Sequence, residues 1–298
     1  MAAVRPRPPV RRPPARPMVV AHRGASSTVA EHTLAAYEAA IASGADALEC
    51  DVRLTRDSHL VCVHDRTVNR TSDGSGVVSE LDLAALEAMD FSSWRTDLPS
   101  SADQLLTDTP YTAGVAPDRV ERGGGVLKLQ LLLELVANAP RDVRLLIETK
   151  HPTRYSGLVE KTLVDELRRF GWAGSSGPTE DLHAPANLGN PVIVMSFATT
   201  AVRRVRMLAP DVPTVKLLSR LNPNRATGRM PTGVQIAGPG LHVLKEDPAF
   251  VERAHARGHP VFVWTVDEPR DVEYVLDLGV DTIITDYPAE VARLLDHR

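Results

Sequence analysis

The chain has 298 residues, 43% hydrophobic and 24% charged, with a formal net charge of -4. That composition supports a sizeable core and excludes a disordered or fibrous class. The slight acidity lacks the basic excess that attracts nucleic acid or an anionic membrane, so a small-molecule partner is expected.

The first seventeen residues hold five Arg and six Pro, a density of proline that blocks helix and sheet ladders alike, and residues 1–17 read as a disordered tail. The apolar stretch that follows, Met18 to Ala21, ends at once in His22 and is too short for the core of a secretory signal. No run of about twenty apolar residues offers a membrane span. Cys50 and Cys62 lie in apolar runs and read as reduced core thiols. Together these features lead to an expected cytoplasmic location without stable membrane insertion. Nothing in the sequence specifies an oligomeric state.

From residue 18 onward, short β-branched runs alternate with segments of helical period. The runs are Val19–His22, Ala47–Val52, Arg144–Thr149, Val192–Ser196, Thr214–Leu218, Val234–Ala237, Val261–Val266 and Thr282–Thr285. Eight strands with helices between them predict an α/β chain closed as a (β/α)8 TIM barrel, one catalytic domain over 18–298. Thr33 is placed to cap a helix ending at Gly44, and Leu163, Leu167 and Phe170 form a stripe stopped by Gly171. Asp247-Pro248 opens a further helix closed by Gly258, and two more run from about 268 to 278 and from 288 to 295.

Three stretches depart from a plain barrel. Residues 53–64 read as a strand extension, a turn at Asp57-Ser58 and a return strand, which carries His64 back toward the end of the second strand. Residues of about 66–126 have one amphipathic stretch near Leu81–Met89 and read as a small insertion after the second strand, over one mouth of the barrel. Residues 219–232 show no helix. They belong to a loop on the catalytic face, where Arg220, Arg225 and Arg229 can either reach a substrate or stay solvated, the solvated reading being preferred.

A polar residue at the C-terminal tip of a barrel strand stands over the mouth, where reacting groups converge. The first strand ends in His22-Arg23-Gly24. In the second, the period of two sends Glu49 and Asp51 to one face and Cys50 to the other. The third ends in Glu148-Thr149-Lys150. Carboxylates gathered on one inward face repel one another unless something positive lies among them. Either a hard cation, Mg2+ or Ca2+, or ion pairs with Arg23, Arg53 and Lys150 would serve. Three carboxylates set against a dication, Arg23 and Lys150 leave one positive charge, which matches a phosphodiester. His22 and His64 are the candidates for proton transfer, one on each side of the phosphorus. Asp65 can orient His64 or cap the insertion, with the first preferred. Asp286, before Tyr287-Pro288, reads foremost as a helix cap, and His59, His151 and His255 as solvent-facing.

The segments Val20-Ala21-His22-Arg23-Gly24, Glu31-His32-Thr33-Leu34, Glu49-Cys50-Asp51-Val52 and Val63-His64-Asp65 resemble the glycerophosphodiester phosphodiesterase family. So do Glu148-Thr149-Lys150, Ser196-Phe197, Val263-Trp264-Thr265-Val266-Asp267 and Thr285-Asp286-Tyr287-Pro288, so that the resemblance spans roughly residues 18–296. It implies hydrolysis of small glycerophosphodiesters to glycerol 3-phosphate and an alcohol. In that pattern His22 and His64 match the acid/base pair, and Glu49, Asp51 and Glu148 the ligands of one divalent ion. Arg23 and Lys150 match phosphate contacts, and Trp264 matches a wall of the glycerol pocket, though it reads equally as a barrel-layer aromatic. Glu31 is retained from the Pro-Glu-Asn segment, where this chain has Ala30-Glu31-His32. Another departure is Leu127-Lys128-Leu129, where the family shows proline-threonine-leucine. The alternatives are a phospholipase C or lysophospholipase D type acting on intact lipid, and a glycerol-phosphate-binding barrel without turnover.

Overall fold

The computed structural model describes residues 16–94, 124–174, 188–219 and 227–297. The chain begins with β1 (Met18–His22), α1 (Leu34–Ala42) and β2 (Ala47–Leu54), and β3 (Leu60–Cys62) returns antiparallel to β2. After α2 (Leu83–Glu87) and α3 (Leu129–Ala137) come β4 (Arg144–Thr149), α4 (Leu158–Arg169), β5 (Val192–Ser196), α5 (Thr199–Leu208) and β6 (Thr214–Leu218). The last part holds β7 (Ile236–Pro239), α6 (Leu241–Glu246), α7 (Phe250–His255), β8 (Phe262–Val263), α8 (Pro269–Asp277), β9 (Thr282–Thr285) and α9 (Pro288–Asp296).

The parallel strands follow the order β7-β6-β5-β4-β2-β1-β9-β8. Parallel bridges at Ala237–Val261 and Gly240–Trp264 join β7 to β8 and close the ring. The result is an eight-stranded (β/α)8 barrel, as the alternation of strands and helices predicts. Alternate strand residues, among them Val20, Leu146, Ile193, Val215, Phe262 and Ile284, pack together as the inner core. The opposite strand faces pack against the helices, α1 contributing buried Ala36, Tyr37, Ala40 and Ile41. Each large apolar side chain so buried stabilises the fold by roughly 1.5–3 kcal/mol. Residues 66–94 cover β3 through a separate apolar cluster that includes Val61, Val63, Val68, Val78, Leu86 and Phe91.

The local signals hold well where capping chemistry is explicit. Thr33 Oγ1 accepts from Ala36 N at 3.2 Å at the start of α1. Gly171 and Gly258, with φ of +71° and +80°, follow α4 and α7 in the left-handed region that favours glycine.

Several expectations are corrected. The sixth parallel run is Ile236–Pro239, two residues later than Val234–Ala237, because the Pro239 carbonyl still serves the ladder by accepting from Trp264 N. The helix placed after Asp247-Pro248 is only the second of a pair; α6 precedes it and Asp247 is the C-cap of α6. His255 is buried and its Nε2 pairs with Asp281 Oδ2 at 2.8 Å, while His151 Nε2 lies 2.6 Å from Glu160 Oε1. Both therefore turn inward to buried carboxylates. His59 does face solvent. Arg229 is exposed, and Arg220 and Arg225 lie outside the described residues, as do residues 1–15 of the tail and 95–123 of the insertion. Arg16, at the end of the tail, pairs with Asp46 at 2.8 Å.

Candidate active site

The site is assembled at the C-terminal ends of β1, β2 and β4. The register aligns His22 with Glu49 and Asp51 with Glu148, so three neighbouring strands bring their polar tips together. Glu49, Asp51 and Glu148 are all buried, and one ligand oxygen from each lies within 4.8 Å of the others. Twice a Ca–O bond of about 2.4 Å is the widest span two ligands of one ion can have, so the spacing fits a shared hard cation. The donors are oxygen only, as Mg2+ or Ca2+ prefers.

The charges respond to this crowding. Burial, followed by the charge of Asp51, pushes the Glu49 carboxyl up to about 8 and that of Glu148 up to about 7. Asp51 is equally buried, but Arg23, Lys150 and His32 outweigh burial and hold it well below the usual range. Arg23 Nε is 3.0 Å from Asp51 Oδ2, and Lys150 Nζ is 3.2 Å from Asp51 Oδ1 and 3.0 Å from Glu148 Oε1. Two of the three ion-pair partners considered from the sequence are thus in place. The third is not: Arg53 donates from Nε and Nη2 to the His64 carbonyl at 3.1 and 2.7 Å.

Arg23 is held in an unusual way. Its φ is +59°, its backbone N donates to Glu49 Oε2 at 3.1 Å, and its Nη1 donates to Glu31 Oε1 at 3.1 Å. A left-handed backbone at a non-glycine residue costs of order 1 kcal/mol or more and persists only where its surroundings dictate it. Gly24 follows with φ +87°, and a Cβ there would stand 2.7 Å from the Ala36 backbone carbon, so the turn requires glycine. Arg23 Nε makes no aligned hydrogen bond among the described residues, although it is buried.

The two histidines lie near the acid cluster, His22 within reach of the Glu49 charge and His64 of the Asp51 charge, and each has its own carboxylate. His22 Nδ1 is 2.7 Å from Asp286 Oδ1, and His64 Nδ1 is 2.7 Å from Asp65 Oδ1. Burial and Arg23 oppose a charge on His22, but Asp286 and Glu49 outweigh them and raise its pKa to about 9. For His64 burial prevails and the pKa falls below its ordinary value. One imidazole is therefore charged and the other neutral near pH 7.

Trp264 covers the inner core from the β8 side, with Nε1 donating to Gly238 O at 2.8 Å. Phe197 meets it edge-on at 5.4 Å and is 41% exposed. The tryptophan is thus both a barrel-layer aromatic and part of the wall of the mouth.

Sequence reasoning missed Arg70, and it gave Asp286 and His32 other parts than the structure does. Arg70, in the insertion, donates to Glu31 through Nη1 and Nη2 at 2.9 and 2.8 Å and to Asp65 through Nε at 2.7 Å. It ties the carboxylate behind Arg23 to the one behind His64. Asp286 makes no cap bond to α9; besides His22 it accepts from Ser26 Oγ at 2.8 Å. His32, also left-handed at φ +58°, donates from Nε2 to Asp51 Oδ2 at 3.1 Å, and its Nδ1 lies 2.7 Å from the Tyr37 hydroxyl. A short polar residue such as asparagine reaches less far, and here the imidazole spans from Asp51 to α1. Within the sequence alone, Arg70 was signalled only by its place six residues after His64.

A closed barrel whose mouth gathers three carboxylates, an arginine, a lysine and two carboxylate-backed imidazoles has the equipment of a metal-assisted phosphoester hydrolase. The family model described as the glycerophosphoryl diester phosphodiesterase family matches residues 22–290. The chain is 41% identical over 281 residues to "Probable glycerophosphodiester phosphodiesterase 1" of Mycobacterium tuberculosis, covering 94% of this chain and 93% of that one. It is 31% identical over 280 residues to a glycerophosphodiester phosphodiesterase of Bacillus subtilis, covering 92% and 85%. Among solved structures, an Oleispira antarctica phosphodiesterase in complex with the product sn-glycerol-3-phosphate superposes with a TM-score of 0.71 at 21% identity, covering 94% and 97%, a likeness of fold. The chain belongs to the glycerophosphoryl diester phosphodiesterase family and is an enzyme of that class.

Proposed function

We propose that this enzyme hydrolyses glycerophosphodiesters to glycerol 3-phosphate and an alcohol, with one divalent ion, Mg2+ or Ca2+, held by Glu49, Asp51 and Glu148. The observation that carries the reading is the meeting of those three buried carboxylates, near two imidazoles with separate carboxylate partners. When bound, the ion supplies positive charge that polarises the non-bridging oxygens of the phosphate.

This chain's own groups do the rest. Arg23 and Lys150 bind the phosphate: each is already beside Asp51, Arg23 Nε at 3.0 Å and Lys150 Nζ at 3.2 Å, and their remaining N–H groups donate to the non-bridging oxygens. Of His22 and His64, one takes the proton of the attacking oxygen and the other gives a proton to the leaving alkoxide, so the P–O bond to the alcohol breaks as the new one forms. Asp286 and Asp65 fix the ring orientations, and Glu31 with Arg70 holds Arg23 and Asp65 in register. Trp264 and Phe197 offer an apolar wall for the glycerol carbons. The substrate is a small water-soluble diester and the location cytoplasmic; among the described residues no helix is long and apolar enough to cross a membrane.

The test is product analysis on a panel of glycerophosphodiesters. Addition of EDTA is expected to abolish turnover, and Mg2+ or Ca2+ to restore it, with glycerol 3-phosphate as the common product. Undiminished turnover after metal stripping refutes the ion site. A clear preference for lysophosphatidylcholine over glycerophosphocholine would make the lipid-directed alternative the correct one, and glycerol 3-phosphate binding without turnover would leave a binding barrel.

A further inference from the structure

Around the ring, β4 lies diametrically opposite β8. Beyond Lys150, on the side of the mouth away from Trp264, a cleft of about 380 Å³ opens between the β2 extension, the loop after β4 and the short turn at Val78–Glu80 of the insertion. A pocket of this size accepts a glycerol-sized alcohol with a further phosphate. Its charged lining is Arg53, Arg66, Lys150 and Arg154 against a single carboxylate, Glu80. Lys150 is neutralised by Asp51 and Glu148, and Arg154 stands 3.6 Å from Glu80. Arg53 and Arg66 have no carboxylate partner in the described residues. Arg53 spends two N–H groups on the His64 carbonyl, which ties the cleft wall to the backbone of that histidine.

Within the reading above, the single charge of the phosphodiester is already matched by Arg23, Lys150 and the ion. Arg53 and Arg66 are additional to that balance. A cationic alcohol such as choline would meet like charge there, whereas an alcohol with its own anionic group would find two unpaired guanidiniums. We propose that this cleft receives the leaving alcohol and selects one that carries a negative charge of its own, such as a second phosphate ester. The selectivity rests on the hydrolase reading, and its electrostatic origin makes it weaken as salt is added.

The experiment compares kcat/KM for three diesters: glycerophosphocholine, glycerophosphoglycerol, and a glycerophosphoglycerol whose leaving glycerol bears a phosphate. Each is assayed at low and high salt with the wild-type enzyme and with the double variant Arg66→Gln, Arg154→Gln. Both residues are exposed, and circular dichroism and a thermal melt check that the variant folds. The wild type is expected to prefer the phosphorylated diester over glycerophosphocholine by about tenfold at low salt, the scale of one or two exposed ion pairs. In the variant, which keeps Arg53, that preference should fall by about threefold or more while glycerophosphoglycerol turnover stays unchanged. Equal kcat/KM for the charged diesters in the wild type, or an undiminished preference in the variant, overturns the assignment of the cleft alone. Failure of all three diesters to turn over overturns the hydrolase reading and the cleft's role with it.

Discussion

β9 has an aspartate immediately before its first residue and another immediately after its last, and each holds a histidine. Asp281, at the N-terminal end, pairs with His255 at 2.8 Å and also accepts from Val261 N at 2.7 Å; both side chains are buried. Asp286, at the C-terminal end, pairs with His22 at 2.7 Å and accepts from Ser26, and both side chains keep some exposure. The chemistry of the two pairs is nearly the same. Their surroundings differ: the first closes the bottom of the barrel between β8 and α7, while the second borders a cluster of carboxylates and an arginine at the mouth. In a barrel, the end of the strand decides whether a histidine–aspartate pair serves stability or reaction.

The sharpest way to break this comparison is to remove each imidazole or its partner and read activity and stability separately. His22→Ala should lower kcat/KM by about a thousandfold or more with an unchanged melting transition. If the variant keeps most of its turnover, His22 has no part in proton transfer. Asp281→Ala should do the reverse, lowering unfolding free energy by about 2–4 kcal/mol because His255 and the Val261 N–H are left buried and unpaired. Its kcat/KM per folded molecule should match the wild type; urea denaturation alongside an assay checks both.

The partner at the mouth should give a smaller, more diagnostic effect. Turnover needs one imidazole charged and one neutral, so kcat/KM should rise as pH passes the depressed pKa of His64 and fall as pH passes that of His22, at or below about 9. Asp286 raises the His22 value, so Asp286→Asn should move the alkaline limb to lower pH and reduce the maximum by about ten- to a hundredfold. An alkaline limb that stays in place would show that Asp286 does not act on His22. The mildest change is Arg70→Gln, which removes the charge linking Glu31 to Asp65. A loss in kcat of about tenfold is expected, with rescue by Arg70→Lys only partial, since lysine cannot bridge two carboxylates with a planar fork. Full rescue by lysine would reduce Arg70 to a point charge.

Much of the site was legible because barrel geometry converts sequence position into spatial position. A residue at the tip of a β-branched run must stand over the mouth, and the period of two aims Glu49 and Asp51 the same way, so the acid cluster and His22 could be named without coordinates. His64 was placed near them by the antiparallel return of β3, which pairs Val52 with Cys62. Asp286 was read as a helix cap because aspartate before a Pro-initiated helix is a strong local signal; its carboxylate instead turned to a histidine 264 residues away. The inward pairing of His151 and His255 escaped notice for the same reason, since their partners lie on other elements.

The alternation of short β-branched runs with capped amphipathic helices by itself determined a (β/α)8 barrel, because backbone period, capping and strand-tip placement are local properties. Which cation meets which carboxylate was decided only by tertiary structure. Arg53 turned from the acids to a carbonyl, Arg70 came from the insertion to join Glu31 with Asp65, and the cleft beyond Lys150 acquired its excess of positive charge. Those outcomes depend on distances between side chains far apart in the chain, and a charge carries no mark in the sequence of the partner it will face.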